Sequence, residues 1–153
     1  MRIKGADHTS YTISNLERSL EFYIDTLGME LLWTRRIEDA YFCDIIGFPD
    51  CTVRAAHLRI PGTEHHLELF EYIDPGGKKA DIRTNNVGSS HLALLVSDLW
   101  AAYEELKGKG VEFRSPPIEI THGKNQGGWG VYLLDPDGIT VELFQRPTQA
   151  PSP

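Results

Sequence analysis

The chain has little of what nucleic acids and membranes require of a protein partner. It carries 15 lysines and arginines against 22 aspartates and glutamates, a formal net charge of -7, and no basic run. Because phosphate backbones and anionic lipids both bind clustered cations, we expect neither nucleic acid nor a membrane surface as a partner. No long apolar stretch and no apolar N-terminal segment is present, so we expect neither a transmembrane span nor secretion. A small molecule is the expected partner.

Cysteine is also scarce. Cys43 and Cys51 are the only two, with seven residues between them. Because no second pair is available for a ribbon-type zinc site or a disulfide framework, we predict two reduced, structural thiols in a cytoplasmic protein. With 153 residues, of which 41% are hydrophobic and 24% charged, the chain is long enough to bury a core as one domain or two small packed halves.

A short pattern occurs twice in the chain. His8 opens a strand-like segment that is followed by a helix-like one, and His91 opens a similar run in the second half. A later strand-like segment ends in LELF in the first half and in VELF in the second. Two histidines and two glutamates, Glu68 and Glu142, therefore occupy equivalent points of the halves, which indicates a tandem duplication.

Each half is predicted to fold as β-α-β-β-β. Apolar residues recur at helical spacing after a capping box of Ser14 and Glu17, and this helix is predicted to stop at Gly28. A second helix is predicted from Asp98, its cap, to Gly110. The predicted strands are 7–13, 30–37, 52–60 and 65–72 in the first half, and 91–96, 111–114, 130–134 and 139–145 in the second.

Turn and linker signals divide the chain further. The DPDG sequence at 135–138 predicts a hairpin between the last two strands, because Pro presets φ and Gly accepts a positive φ, and IPG at 60–62 has a similar role in the first half. We predict one domain over residues 1–146. It consists of module one at 5–73, a linker at 74–87 and module two at 88–146. A long loop is predicted at 115–128 and a disordered tail at 147–153.

The doubled histidine and glutamate predict a metal site. In a strand ending TVELF, Glu142 lies among strand-forming residues where a carboxylate has no local partner. An isolated glutamate is more often solvated and a lone histidine more often structural, but their repetition in both halves favours ligation. Two neutral imidazoles and two carboxylates balance a dication and leave two octahedral positions for water or substrate oxygens. The predicted ligands of one divalent cation are His8, Glu68, His91 and Glu142.

Other polar and aromatic residues are candidates for touching a substrate. His66 is two residues from Glu68 and hence on the same strand face, whereas His57 and His65 are interpreted as surface or packing residues. The predicted substrate-binding residues are His66, His122, Lys124 and Trp129.

The chain resembles the vicinal oxygen chelate superfamily, which includes glyoxalase I, methylmalonyl-CoA epimerase, extradiol dioxygenases and bleomycin-resistance proteins. The resemblance rests on His8, on ERSLEFYIDTLGMEL at 17–31, on His91 and on DPDGITVELF at 135–144, and it covers nearly the whole chain. It implies an α+β fold of two tandem βαβββ modules that form an open cup-shaped sheet around a metal site. As in glyoxalase I-like members, it also implies a homodimer.

The resemblance implies a lyase or isomerase of the glyoxalase I type. One divalent metal, with Zn, Ni, Co, Mn and Fe not distinguished, would hold both oxygens of a small hydroxy-carbonyl compound or thiol adduct and stabilise the enediolate formed on proton loss. Glu68 and Glu142 are the implied catalytic bases. Glyoxalase I-like members place an arginine in the first strand for glutathione, but HTSYTIS offers Tyr11 and Thr12 and no cation. Glutathione dependence therefore does not follow.

Three alternatives stay open. An extradiol-type dioxygenase would use His8, His91 and Glu142 as a facial triad and leave Glu68 without a role. An epimerase-like enzyme would share the proton transfer, although such members usually carry glutamine where Glu68 stands. A metal-free drug-binding resistance protein would use the cup for binding alone. The segment 35–62, longer and more apolar than a minimal module needs, indicates a pocket of its own.

Overall fold

The computed structural model describes residues 2–148, which divide between Lys79 and Ala80 into two compact units. Each unit contains a four-stranded mixed sheet, and the two sheets have the same strand order relative to the chain. The predicted pair of tandem βαβββ modules is confirmed. The predicted tail lies outside the described residues from position 149 onward.

The first unit contains four strands and three helical segments. They are β1 (His8–Thr12), α1 (Leu16–Leu20) with a π-helical continuation (Glu21–Thr26), β2 (Glu30–Ile37), α2 (Ala40–Ile46), β3 (Thr52–Arg59) and β4 (His66–Asp74). The sheet order is β1-β4-β3-β2, in which β1 is parallel to β4 and the other neighbours are antiparallel.

The helix α1 begins at a cap, and its π-helical continuation is followed by a glycine, as sequence patterns of this kind predict. The cap is Asn15, whose side chain accepts from the Arg18 backbone N–H at 2.8 Å, so the predicted capping box at Ser14 is wrong by one residue. The chain turns at Gly28, where φ is +76°. The buried side chains Leu16 and Tyr23 lie on the helix side of the sheet, because α1 contacts β3 and β4.

A helix that the sequence analysis did not predict, α2, occupies part of the segment 35–62. It packs on a buried cluster that includes Ile37, Val53 and Phe70. Cys43 and Cys51 form a disulfide with Cα atoms 5.4 Å apart, so the prediction of reduced thiols is wrong. The end of α2 and the start of β3 bring the two Cα atoms within the range that a disulfide spans. The expectation of a cytoplasmic location therefore loses its support from the cysteines.

The second unit repeats the arrangement with a shorter edge strand. Its elements are β5 (His91–Leu95), α3 (Leu99–Gly108), β6 (Ile118–Glu119), β7 (Trp129–Leu134) and β8 (Thr140–Gln145). The sheet order is β5-β8-β7-β6, with β5 parallel to β8. The predicted strand at 111–114 is wrong, because only Phe113 forms an isolated bridge, with Leu133. Pro116 and Pro117 then interrupt the pairing, since proline has no N–H, and β6 resumes it at Ile118.

The predicted cap and the predicted hairpin of this unit are confirmed. The Asp98 side chain accepts from the Ala101 backbone N–H at 2.9 Å at the start of α3. Between β7 and β8, the Gly138 N–H donates to the Asp135 carbonyl at 2.9 Å, with φ of +86° at Gly138. No helix among residues 2–148 is long and apolar enough to cross a membrane.

Candidate metal centre

Strand pairing puts a histidine and a glutamate on one face of each sheet. In the first unit His8 pairs with His66, and Glu68 lies two residues further along β4. In the second unit His91 pairs with Thr140, and Glu142 lies two residues further along β8. Because side chains two apart on a strand point to the same side, each histidine shares a face with its glutamate. Leu67 and Leu69 of β4 and Val141 and Leu143 of β8 alternate with these residues and are buried on the opposite side.

Each histidine approaches its glutamate closely. Nε2 of His8 lies 3.5 Å from Oε2 of Glu68, and Nε2 of His91 lies 3.1 Å from Oε2 of Glu142. Two neighbouring donors of one ion, each bound at about 2.1 Å, lie roughly 3 Å apart, so the spacing within each pair is compatible with two ligands of one cation. Within residues 2–148 no three His, Cys, Asp or Glu side chains gather around one point suited to an ion. Each unit by itself therefore offers two donors, fewer than a closed site requires.

The pair in the first unit is held by neighbouring polar groups. Nδ1 of His8 lies 2.8 Å from Oδ2 of Asp7, which lowers the pKa of the Asp7 carboxyl and leaves Nε2 directed at Glu68. Burial raises the pKa of Glu68, against the opposing effects of the nearby His8 and of a hydrogen bond with the Ser10 hydroxyl. The side chain of Glu68 is only 13% exposed. A carboxylate in this setting is oriented, partly desolvated and available as a ligand or a base.

The pair in the second unit has a different neighbour. Tyr132 pairs with Glu142 across β7 and β8, and its ring lies 5.1 Å from that of His91. Burial, with a smaller contribution from the charge of Glu142, raises the pKa of the Tyr132 hydroxyl. Tyr132 therefore stays neutral and presents a ring and a hydroxyl beside the pair.

The four predicted substrate-binding residues fall in different places. His66 shares the face of Glu68. His122 and Lys124 are exposed in the loop between β6 and β7, and Nδ1 of His122 lies 2.8 Å from the hydroxyl of Thr121. The Trp129 ring lies 5.9 Å from that of Trp100 in α3, on the helix side of the second sheet. Of the four, His66 joins a histidine and glutamate pair within its own unit.

Sequence reasoning missed His57, which it interpreted as a surface or packing residue. His57 pairs with Glu68 across β3 and β4, and its Nδ1 lies 3.8 Å from Oε1 of that glutamate. Burial lowers the pKa of His57, with further lowering from the nearby His66 and His8. The signal that would have found it is hairpin register: His57 stands as far before the turn at 60–65 as Glu68 stands after it.

Comparison with known proteins agrees with the fold of two tandem βαβββ modules. A model of the Glyoxalase/Bleomycin resistance protein/Dioxygenase superfamily matches residues 5–143. The chain belongs to this superfamily. A 2-epi-5-epi-valiolone epimerase from Actinomyces is 36% identical to this superfamily member over 149 residues, which cover 94% of the chain and 80% of the epimerase.

Two further relatives bear on activity and fold. A lactoylglutathione lyase from Arabidopsis thaliana is 32% identical over 94% of this superfamily member, which spans only 45% of the length of the lyase. A glyoxalase family protein from Bacillus cereus superposes with a TM-score of 0.81 over 97% of both chains at 20% identity, a likeness of fold alone. The epimerase and the lyase are enzymes by name, which supports an enzymatic role for this superfamily member.

Proposed function

We propose that this superfamily member is a metal-dependent isomerase that moves a carbon-bound proton beside a carbonyl group, and that it epimerises a small hydroxy ketone. The observation that supports this most directly is the duplicated pair of donors. Each sheet presents an imidazole nitrogen within 3.5 Å of a carboxylate oxygen on the same face.

We propose His8, Glu68, His91 and Glu142 as ligands of one divalent cation, with Zn, Ni, Co, Mn and Fe as candidates. A cation held by them would supply positive charge to stabilise the charge that develops on a substrate oxygen when the adjacent C–H bond breaks. Asp7 holds the His8 imidazole with Nε2 free to bind, because Nδ1 is occupied at 2.8 Å. Ser10 orients the Glu68 carboxylate.

The two carboxylates are the proposed proton carriers. In an epimerisation the C–H bond breaks, the electron pair moves to the carbonyl oxygen, and the proton passes to a carboxylate. A proton then returns to the opposite face of the carbon as the carbonyl re-forms. Glu68 and Glu142 are the two carboxylates proposed for these steps. Burial raises the pKa of Glu68 in the metal-free protein.

Two observations favour an epimerase over a glutathione-dependent lyase. The match covers 80% of the length of the epimerase relative, and the substrate in that relative's name, 2-epi-5-epi-valiolone, is named as a ketone. In addition, β1 carries no cation for a glutathione carboxylate: Tyr11 is buried and Thr12 is a neutral hydroxyl. The second candidate function is that of a lactoylglutathione lyase, which the 32% identity to the plant enzyme favours.

The remaining alternatives use the site less completely. A dioxygenase triad of His8, His91 and Glu142 leaves unused a carboxylate that is 13% exposed and lies 3.5 Å from His8. A metal-free drug-binding protein leaves both donor pairs without a purpose. Placing a carboxylate in a partly buried position costs free energy, which favours a use for Glu68.

The test is proton exchange with solvent. Purified protein is loaded with zinc, nickel, cobalt, manganese or ferrous iron in turn and mixed in heavy water with 2-epi-5-epi-valiolone or with the glutathione adduct of methylglyoxal. We expect NMR to show deuterium entering the carbon beside the ketone, with inversion, and no exchange in chelator-treated protein. Turnover of the adduct alone would select the lyase, and oxygen uptake with a catechol would select the dioxygenase. No turnover with any metal overturns the proposal.

We also propose a homodimer and a cytoplasmic location, as for glyoxalase I-like proteins, although the Cys43–Cys51 disulfide is unusual for that location. Light scattering should give a mass twice that of the chain.

A further inference from the structure

A row of side chains crosses the face of the first sheet at Glu68. Ser10 pairs with Glu68 from β1, His57 pairs with it from β3, and Trp33 pairs with His57 from β2. All four lie on the side away from α1, because paired residues of adjacent strands share a face. Glu68 therefore has a neighbour from each adjacent strand, and one of them is an imidazole.

His57 is enclosed, and one of its nitrogens lacks a hydrogen-bond partner. The side chain is 13% exposed and packed against rings on three sides, with centroids 5.1 Å away at Trp33, 4.8 Å at His66 and 5.8 Å at His8. Its Nδ1 is buried and makes no hydrogen bond. Buried polar nitrogens in folded proteins are almost always paired, so an unpaired one next to a candidate site calls for a partner.

The nearest carboxylate oxygen is the partner that the geometry supplies. Nδ1 of His57 lies 3.8 Å from Oε1 of Glu68, beyond the usual range of about 2.7–3.2 Å for a hydrogen bond. Oε2 of the same carboxylate lies 3.5 Å from Nε2 of His8. The two oxygens of Glu68 thus face two different imidazoles.

We propose that His57 is a positioning residue for Glu68: its Nδ1–H donates a hydrogen bond to Oε1, so that Oε2 stays beside His8 for the cation. The proposal rests on the proposed function, since it presumes that Glu68 is a ligand. It makes the halves unequal, because Tyr132 and not an imidazole pairs with Glu142 in the second unit. Groups that orient a ligand in this way change metal affinity by about 10-fold to 100-fold when they are removed.

The first experiment reads the tautomer of His57 in metal-free protein. Long-range nitrogen–proton NMR spectra of ¹⁵N-histidine-labelled protein should show His57 neutral and protonated at Nδ1, and Glu68→Ala should abolish that preference. Protonation at Nε2, or an unchanged preference in Glu68→Ala, overturns the proposal. This measurement needs neither metal nor substrate, so its outcome is independent of whether the proposed function holds.

The second experiment measures zinc affinity by competition with a chromophoric chelator. We expect His57→Phe to bind zinc roughly 10-fold or more weakly than the natural protein, and His57→Asn, which can place a donor where Nδ1 stands, to recover most of that loss. His65→Phe is the matched control, because the His65 side chain bonds to the Thr9 hydroxyl at 2.9 Å and not to Glu68. The variant protein should bind zinc with the affinity of the natural protein. If His57→Phe fails to fold, His57→Leu, which also lacks a donor, replaces it.

The outcomes of this titration test the positioning role of His57 separately from the proposed epimerase function. Natural affinity in folded His57→Phe, or equal weakening in His57→Asn and His57→Phe, shows a packing role and overturns the positioning role. Loss of zinc affinity as expected, together with an absence of proton exchange in any substrate, retains His57 as a positioning residue and rejects the epimerase.

Discussion

The two sheets present the same histidine and glutamate on corresponding strands, but the neighbours of each pair differ. By register, His57 corresponds to Tyr132, His66 to Thr140 and Ser10 to Ala93. Every one of these positions carries a hydrogen-bonding group in the first unit, whereas the second unit offers a phenol, a hydroxyl and a methyl. The duplicated frame therefore keeps the two donors and varies what surrounds them.

A second difference lies at the far end of the same face. In the first unit α2 covers Phe70, which is 8% exposed and lies 5.5 Å, ring to ring, from Phe42. In the second unit the corresponding Phe144 is only partly buried, and no helix among residues 91–148 occupies the place of α2. Equivalent strand positions thus carry unequal packing, and we expect unequal effects when they are changed.

The largest effect should come from the donors that the halves share. We expect His8→Ala, His91→Ala and Glu142→Gln each to lose bound zinc and about 100-fold or more of turnover, because each removes one of four proposed ligands. Elemental analysis, the exchange assay and circular dichroism measure metal, activity and fold.

The matched control for the glutamate is Glu105→Gln, an exposed carboxylate paired with Lys109 at 2.8 Å on α3, which should keep both metal and activity. If only His8→Ala, or only His91→Ala and Glu142→Gln, kept a normal zinc content, the two histidine and glutamate pairs would not be equivalent as ligands.

The next effect should separate the two phenylalanines. Phe70→Ala is expected to cost about 3–5 kcal/mol of the free energy of unfolding, since it empties a site enclosed by α2. Phe144→Ala should cost about half as much, because its ring is already partly solvated. Urea denaturation of both variants checks this, and equal losses would contradict the role given to α2.

A smaller and equal effect is expected at the two helix caps. Asn15→Ala and Asp98→Ala each remove a side-chain acceptor from a backbone N–H, at 2.8 Å and 2.9 Å. We expect each to cost about 1 kcal/mol of the free energy of unfolding. A difference of more than about 1 kcal/mol between them in thermal or urea unfolding would show that the caps, unlike the ligands, have diverged in importance.

The smallest effect concerns Ser10 and its counterpart Ala93. Ser10→Ala removes a hydrogen bond that lowers the pKa of Glu68, so that pKa should rise further in metal-free protein. A carboxyl whose folded pKa lies above its unfolded pKa destabilises the fold at pH values above the folded pKa. Below the unfolded pKa it does not. Ser10→Ala should therefore lower stability at neutral pH, by about 0.5 kcal/mol, and leave it unchanged in acid.

Carbon NMR titration of the Glu68 carboxyl and urea unfolding at two pH values measure these changes. Ala93→Ser, made beside Glu142, tests whether the missing hydroxyl alone distinguishes the halves. An unchanged pKa of Glu68 in Ser10→Ala would show that the Ser10 hydroxyl does not account for a difference between the two pairs.

Much of the fold could be predicted from the sequence because its signals are local. The Asp98 cap, the Gly28 stop and the DPDG hairpin depend on groups within a few residues of one another. The errors lie where local signals compete. The helix α2 is only seven residues long and follows a strand without a side-chain cap bond, so its pattern was too short to distinguish from strand.

The residues of the candidate site also include some that local sequence patterns predicted and one that they did not. His8, Glu68, His91 and Glu142 could be predicted as ligands because the duplicated pattern is visible in the residues themselves. His66 followed from alternation along one strand. His57 did not, because a residue eleven positions before Glu68 becomes its neighbour only through the register of the β3–β4 hairpin.

The amino-acid sequence by itself determined the duplicated βαβββ order and the two histidine and glutamate pairs, since period-2 alternation, caps and turns act over short distances. The tertiary structure alone decided which groups surround each pair. Cross-strand register, the helix α2 and the Cys43–Cys51 disulfide bring together residues distant in the chain, and burial then sets the pKa of Glu68 and the environment of His57. Contacts of that kind depend on the free energy of the whole fold, which no local pattern encodes.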